Sequence, residues 1–255
     1  MDTQNILKLK KLTQARTLDC KNALEQSNGD LEKAIIWLRK QGQKIAAKKL
    51  DKITNQGTIF AKVNADNQFG VIFTLSCETD FVARNHLFQE LSSNLLHIAL
   101  ENQCIDLKMF LKTEKDGVSV QKIIEEGVAR LGENILITKY ATLSGSLVSA
   151  YIHTGNRIGS LVSLSGQHDK GLQVAQEMAI QVVFSDPIAI DEDSIDASIV
   201  EREKLIIEEN LAKEGKPAAI AEKIMQGKLS KFFQENTLLA QPFFKDDSKT
   251  VRQYL

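Results

Sequence analysis

The sequence predicts an α+β protein: a three-helix module at the N-terminus, then a core of two similar α+β subdomains, with a helical hairpin inserted in the second. Three observations carry that reading. Helix punctuation recurs at short intervals over the first 50 residues. From Gly57 the apolar period changes to two, and a strand, turn, strand, helix plan then occurs twice.

In the N-terminal module, Ile6, Leu9 and Leu12 line one side of a first helix. Thr17 is placed to cap a second, which buries Leu18, Ala23 and Leu24 and stops at Asn28-Gly29, where glycine can take the left-handed conformation. Asp30 caps a third helix with Leu31, Ala34, Ile35 and Leu38 on its inner face and Gly42 at its end. Three helices of this size are marginal alone, so the module is expected to work while tethered to a larger body. The tether is the Ala- and Lys-rich stretch 43–53, itself helical in character.

TIFAKV and FGVIFTLSC flank the polar turn Ala65-Asp66-Asn67-Gln68 and read as a β-hairpin. A helix follows with Leu87, Leu91, Leu95, Ile98 and Ala99 as its apolar stripe, then a second from about Val120 to Gly132, then the strand NILITKYATL. SLVSAYIH, a turn at Gly155-Asn156 and RIGSLVSLS repeat the plan, before a helix with Leu172, Ala175, Met178, Ala179 and Val182 on one face. Residues 193–226 interrupt this second unit with charged helical sequence broken once, at Glu214-Gly215-Lys216-Pro217. In this arm Ile199, Ile206, Ile220 and Ile224 form apolar positions, while Glu201, Arg202, Glu203, Lys204, Glu208 and Glu209 face water. The expected division is 1–54 for the module and tether, 55–140 for the first subdomain, 141–186 with 227–255 for the second, and 187–226 for the arm.

A chain of 255 residues, 43% of them hydrophobic, can bury a substantial core. No segment approaches the roughly 20 apolar residues of a membrane helix, and the N-terminus has no secretory pattern, so no membrane partner and a cytoplasmic address are expected. Cys20, Cys77 and Cys104 lack any paired spacing and read as free thiols. Charge is uneven: residues 1–54 hold 12 Lys or Arg against 6 Asp or Glu, and the remainder holds 20 against 27, a basic head on an acidic body.

Gly215-Lys216-Pro217 and Gly227-Lys228-Leu229 lack the glycine spacing and hydroxyl of a phosphate-binding loop, so no direct nucleotide binding is expected. His86, His97, His153 and His168 show no metal-ligand spacing, and no nucleophile elbow is present, so neither an enzyme nor a cofactor is indicated. His97, beside Leu96 and Ile98, reads as a partly buried structural histidine; His153, at a hairpin tip beside Tyr151, reads equally as a contact or an incidental surface residue.

One segment stands out, Cys77-Glu78-Thr79-Asp80-Phe81-Val82-Ala83-Arg84-Asn85, between a strand and a helix. In one reading Thr79 or Asp80 caps the next helix while Phe81 and Val82 enter the core. In the other, a projecting Asp-Phe pair inserts into a partner.

TDFVARN resembles the exchange motif of the elongation factor Ts family, and several further segments match that family in order: DCKNALEQSNGDLEKAIIWLRKQG, YIHTGNRIGSLV, EMAIQVVFSDP and GKPAAIAEKIMQGKLSKFFQENTLLAQPFFKDDSKTV. The resemblance runs from about Leu9 to Val251. It implies a guanine nucleotide exchange factor of protein biosynthesis, not an enzyme, that binds elongation factor Tu in its GDP-bound and nucleotide-free forms and promotes GDP release. It makes the first module similar to a ubiquitin-associated domain, with Lys21 and Lys49 as partner contacts. It assigns Thr79, Asp80, Phe81 and Val82 to disturbing the partner's Mg²⁺ site, Leu131 and Gly132 to its nucleotide-binding domain, and His153 with Arg157 to another of its domains. The coiled-coil arm at 187–226 corresponds to the family's dimerisation region. The turn Thr13-Gln14-Ala15-Arg16 departs from the family's common glycines there, and the chain stops at Tyr254-Leu255, where longer members continue, so a truncated second subdomain is expected. Two other classes fit the residues less fully: a nucleic-acid-binding protein using the basic head, and an adaptor without exchange activity.

Overall fold

The structure, a computed structural model, describes residues 3–13, 15–49, 52–166, 170–213 and 218–255, and the chain divides into two compact units, Met1–Gly171 and Leu172–Leu255. The fold is α+β.

The first unit begins with α1 (Thr3–Thr13), α2 (Thr17–Gln26) and α3 (Leu31–Lys49). Leu9, Cys20, Ala23, Leu24 and Ala34 form their shared core, with Ile6, Leu31, Ile35, Trp37 and Leu38 packed around it. Asn28 and Gly29 both take positive φ, 50° and 82°, and the Asp30 carboxylate accepts the Lys33 amide at 3.0 Å, so α2 stops and α3 starts as the residues dictate. Leu12 and Leu18 were expected inside and are exposed instead. The core takes one leucine each from α1 and α2, Leu9 and Leu24, with the small Cys20, Ala23 and Ala34, and the flanking leucines stay outside it. Arg16, not Thr17, occupies the N-cap of α2; Thr17 is the first helical residue and its hydroxyl accepts from Lys10 Nζ at 3.0 Å. Gln14 of the departing turn lies outside the described residues.

Gly42 does not end α3. The helix continues through the expected tether to Lys49 and packs along the core helix α7 (Val120–Leu131), because Gly42 offers that neighbour a bare surface. A Cβ there would stand 3.0 Å from Ala129 Cβ, tighter than ordinary packing. The module is thus continuous with the body of this unit.

β1 (Gln56–Val63) and β2 (Phe69–Cys77) form the expected hairpin, with Asn67 at φ 54° in its turn. α4 (Asp80–Ala83), α5 (His86–Glu101), α6 (Leu107–Lys112), the small pair β3 (Glu114–Lys115) and β4 (Val118–Ser119), α7 and β5 (Ile135–Ser144) follow. The sheet order is β1-β2-β5, all antiparallel, with Phe73 opposite both Phe60 and Tyr140 and a register shift between Thr74 and Leu75. Alternate residues Phe69, Val71, Phe73, Leu75 and Cys77 enter one core with Phe88, Leu95 and Ile98 of α5 and Ile124 and Val128 of α7. Phe110 from α6 joins that core between Phe73 and Tyr140, which explains why so short a helix forms: it fills an aromatic row. His97 faces outward, 3.2 Å from Glu101, because it lies on the side of α5 opposite Leu95 and Ile98, and so is not the partly buried histidine expected.

The second hairpin, β6 (Leu147–Ile152) with β7 (Gly159–Leu164), packs on the other face of the sheet. Gly70 makes this possible. A Cβ at that position would lie 2.8 Å from Val148 and 3.1 Å from Leu161.

The second unit holds α8 (Gly171–Ser185), a 3-10 turn at Glu192–Ser194, α9 (Ala197–Lys213), α10 (Ala218–Asn236), β8 (Pro242–Phe243), β9 (Asp246–Thr250) and α11 (Val251–Tyr254). α9 and α10 make the helical hairpin; its turn at 214–217 lies outside the described residues. The excursion leaves and returns at one place, where Ala189 bridges Thr237 and the Leu238 amide donates to the Ala189 carbonyl at 2.9 Å. Among its described residues Ile207 and Leu211 are buried, while the expected apolar position Ile206, one residue before Ile207, is exposed.

At the base, buried Gln181 bonds Pro242 O and the Phe244 amide, while Gln241 bonds Ser185, so the C-terminal strands are fixed by side-chain amides. Glu177, also buried, accepts hydrogen bonds from Lys245 at 2.8 Å, Gln173 at 3.0 Å and the Tyr254 hydroxyl. Burial alone would raise its pKa, but these donors outweigh it and hold the carboxyl down to about 2. A depressed pKa stabilises the fold above the unfolded value near 4.5 and loses that contribution as pH falls through the folded one. Glu177→Gln should therefore lower stability by about 3 kcal/mol at pH 7, and the gap to the parent protein should close as pH falls from about 4.5 towards 2, read by thermal melts across that range.

Candidate functional site

The loop between β2 and α5 is built from its ends inward. At Cys77 the strand runs out and the next two residues turn towards the start of β5. Glu78 accepts the Asn134 amide at 2.7 Å and Lys49 Nζ at 3.2 Å. The amide bond, helped by the lysine, lowers its pKa from the ordinary carboxyl value. Asn134 in turn donates its side-chain amide to Lys52 O at 2.9 Å. Glu133 then grips Thr79 twice, taking its amide at 2.9 Å and its hydroxyl at 2.6 Å.

Thr79 has extended backbone, φ −125° and ψ 157°, and its hydroxyl oxygen accepts the Val82 amide at 3.4 Å as the N-cap of α4. The buried Cys77 thiol donates to Thr79 O at 3.1 Å. Burial, with the nearby Glu133 charge, pushes that thiol up to about 11, so it is a neutral S–H donor at pH 7. Asn85 closes the loop by capping α5, its side chain accepting the Leu87 amide at 2.9 Å.

Between these two caps stands one turn of helix. Val82 packs against the core and Ala83 is buried, while Phe81 is 82% exposed. Asp80 faces Arg84 at 3.4 Å, an exposed pair worth little to stability. The two readings of the segment therefore divide between its residues: Thr79 caps and Val82 packs inward, whereas Phe81 points to solvent.

The other residues singled out in the sequence fall in several places. Lys49, at the end of α3, is engaged with Glu78 beside the loop. Leu131 packs on the core at the end of α7, and Gly132 is its left-handed C-cap at φ 78°; a Cβ on Gly132 would run into the Arg16 guanidinium from the α1–α2 turn. Leu131 and Gly132 thus directly precede the Glu133-Asn134 pair that holds the loop. Arg157, exposed at the β6–β7 turn, donates to Gln56 Oε1 at 3.0 Å, and Gln56 pairs with Cys77 across the sheet. His153 is exposed beside it in the same turn, its Nδ1 3.2 Å from the Tyr151 hydroxyl. Lys21 is exposed on α2, 3.9 Å from Glu25.

Glu133 and Asn134, and the holding role of Glu78, escaped the sequence reading. The signal present was a polar Glu-Asn pair between a helix-stopping glycine and an apolar strand, a place where an uncapped loop is otherwise expected.

The fold and loop define an α+β protein with a three-helix N-terminal module and an inserted helical hairpin. Among the described residues no helix is long and apolar enough to cross a membrane. The model of the family described as Elongation factor TS matches residues 78–255. The chain is 47% identical over 253 residues to elongation factor Ts of Amoebophilus asiaticus, covering 99% of this chain and 91% of that one. It is 40% identical to that of Christiangramia forsetii, covering 97% and 90%, and 40% identical to that of a Hydrogenobaculum species, covering 100% and 93%. The chain belongs to the elongation factor Ts family. Its role is that of a guanine nucleotide exchange factor in translation elongation.

Exposure separates Phe81 from the core phenylalanines energetically. Phe81→Ala should change stability by no more than about 0.5 kcal/mol, whereas Phe73→Ala, at a side chain 1% exposed, should cost about 3–5 kcal/mol. Thermal melts of the two variants should differ by roughly 10 °C.

Proposed function

We propose that this chain binds elongation factor Tu and releases its GDP by presenting Asp80 and Phe81 to the region that holds Mg²⁺ against the phosphates. The observation that carries this reading is Phe81 itself, a large aromatic left 82% exposed on a turn whose backbone is tied down at both ends. Such a side chain gains roughly 1.5–3 kcal/mol when a partner pocket covers it. The coupling is thermodynamic. A factor that binds the nucleotide-free partner better than the GDP form must weaken GDP by the same ratio, and a thousandfold effect requires about 4 kcal/mol of differential binding.

In this reading residues 1–54 act as a docking module through Lys21 and Lys49. The body, 55–140 and 141–186 with 227–255, offers Thr79, Val82, Leu131 and Gly132 to the nucleotide-binding domain of the partner and His153 with Arg157 to another domain. The work takes place in the cytoplasm. Stopped-flow release of a fluorescent GDP from elongation factor Tu tests it: replacing Asp80 and Phe81 together by alanine should slow release severely while melting temperature stays within about 2 °C of the parent. Unchanged release by the double variant would remove the loop from the mechanism.

The arm at 187–226 is the proposed site of self-association. Leu205 and Ile206 are large aliphatic side chains exposed side by side on α9. Light scattering should show a concentration-dependent dimer that Leu205→Glu with Ile206→Glu abolishes; a monomeric parent at all concentrations would refute the assignment.

A further inference from the structure

We infer that Glu133 is the positioning residue of the exchange loop, acting through Thr79 rather than by touching the partner's nucleotide. The inference rests on the proposed exchange function. One carboxylate takes both polar hydrogens of one residue, the Thr79 amide at 2.9 Å and the Thr79 hydroxyl at 2.6 Å. The hydroxyl hydrogen is thereby committed to Glu133, which leaves the oxygen's lone pairs for the Val82 amide at 3.4 Å, the bond that caps α4. The same carboxylate therefore fixes the Thr79 backbone and orients the capping oxygen. Since α4 is a single turn, Asp80–Ala83, its direction, and with it that of Phe81, follows from the residue that caps it.

No other group described around Thr79 can do this. Cys77 reaches only its carbonyl, not its amide or hydroxyl, and Glu78 is engaged with Asn134 and Lys49. Glu133 is itself held in place. Gly132 takes the left-handed turn that ends α7, and the Asn134 amide is tied to Glu78, so the carboxylate sits between two fixed backbone points. The presenting side chain Phe81 is exposed, and the carboxylate that aims it is set behind the turn, bonded to the residue that caps it.

A group that aims Phe81 without adding docking surface affects the rate within the complex more than the formation of the complex. Fluorescent-GDP release from elongation factor Tu, measured over a range of factor concentrations, separates the two. Glu133→Ala should lower the maximal release rate by about tenfold with the half-saturating concentration changed less than about twofold. Glu133→Gln, which keeps one acceptor oxygen but replaces the other by a donor, should fall between. Hydrogen exchange of the parent and the Gln variant supplies the structural arm: the Thr79 amide should be protected in the parent and should exchange faster in the variant. A double-mutant cycle with Thr79→Val should be non-additive, since both changes remove the same bond.

Maximal rates equal to the parent's in both Glu133 variants, or a loss confined to the half-saturating concentration, would overturn the inference, and so would unchanged Thr79 exchange. If the parent protein itself fails to release GDP, the exchange function falls. If the parent releases GDP and the Glu133 variants do so equally well, only the role of Glu133 falls.

Discussion

Two residues leaving β2 and two entering β5 bond across to one another, and most of what is specific to the first unit depends on that junction. Glu78 takes the Asn134 amide, and Glu133 takes the Thr79 amide and hydroxyl, so each strand supplies a carboxylate to the other's backbone. Both carboxylates are partly sheltered, where charge-assisted bonds are stronger than their exposed counterparts. Removing Glu78 would take an acceptor from the buried Asn134 amide, and removing Glu133 would take one from the partly buried Thr79 amide and hydroxyl as well as freeing a loop. Three features meet there: the end of α3 through Lys49, the C-cap of α7 through Gly132, and the cap of α4 through Thr79.

This construction accounts for an otherwise unfavourable feature. A loop that exposes an aromatic ring invites collapse of that ring onto the nearest apolar surface, since covering it is worth a few kcal/mol. Val82 already packs on the core from the same turn and Asn85 starts α5 three residues later, so the four residues of α4 have no slack with which to bring Phe81 inward. The exposed ring is held by its neighbours' engagements, and its solvation cost is met by the stability of the sheet behind it. Pre-organisation of this kind reduces the ordering entropy that association would otherwise demand.

What the sequence revealed and what it hid differ in physical kind. The alternating run Phe69–Cys77 and the stop at Gly132 were legible because each is a local period or a local backbone requirement and forms where expected, while the α5 stripe forms over Leu91, Leu95, Ile98 and Ala99 but with Phe88, not Leu87, in the core. Asp30 as a cap is legible for the same reason. The exposure of Phe81 was not, because adjacent Phe81 and Val82 carry the same hydrophobic signal and only the direction of a four-residue helix separates them. Glu133 and Thr79 are 54 positions apart in the chain, so no window contains their bond. Gly42 misled for an instructive reason: glycine marks helix ends by its backbone freedom, but inside α3 it serves by having no side chain where α7 passes.

The continuity of α3 through Gly42 changes what the N-terminal module can do. A three-helix unit on a slack linker would add affinity only through effective concentration, and the linker's freedom would dissipate any strain arising on binding. Here the module is joined to the body of its unit along a whole helix, with Gly42 against Ala129, Arg16 over Gly132 and Lys49 on Glu78. Two of those three contacts reach the carboxylates that secure the motif loop: Gly132 directly precedes Glu133, and Lys49 bonds Glu78 itself, beside Thr79. A contiguous set of packed and bonded groups therefore connects the face of the module to the turn that carries Phe81. Under the proposed function, docking free energy gained at the module is passed to the loop through these contacts rather than through a linker alone.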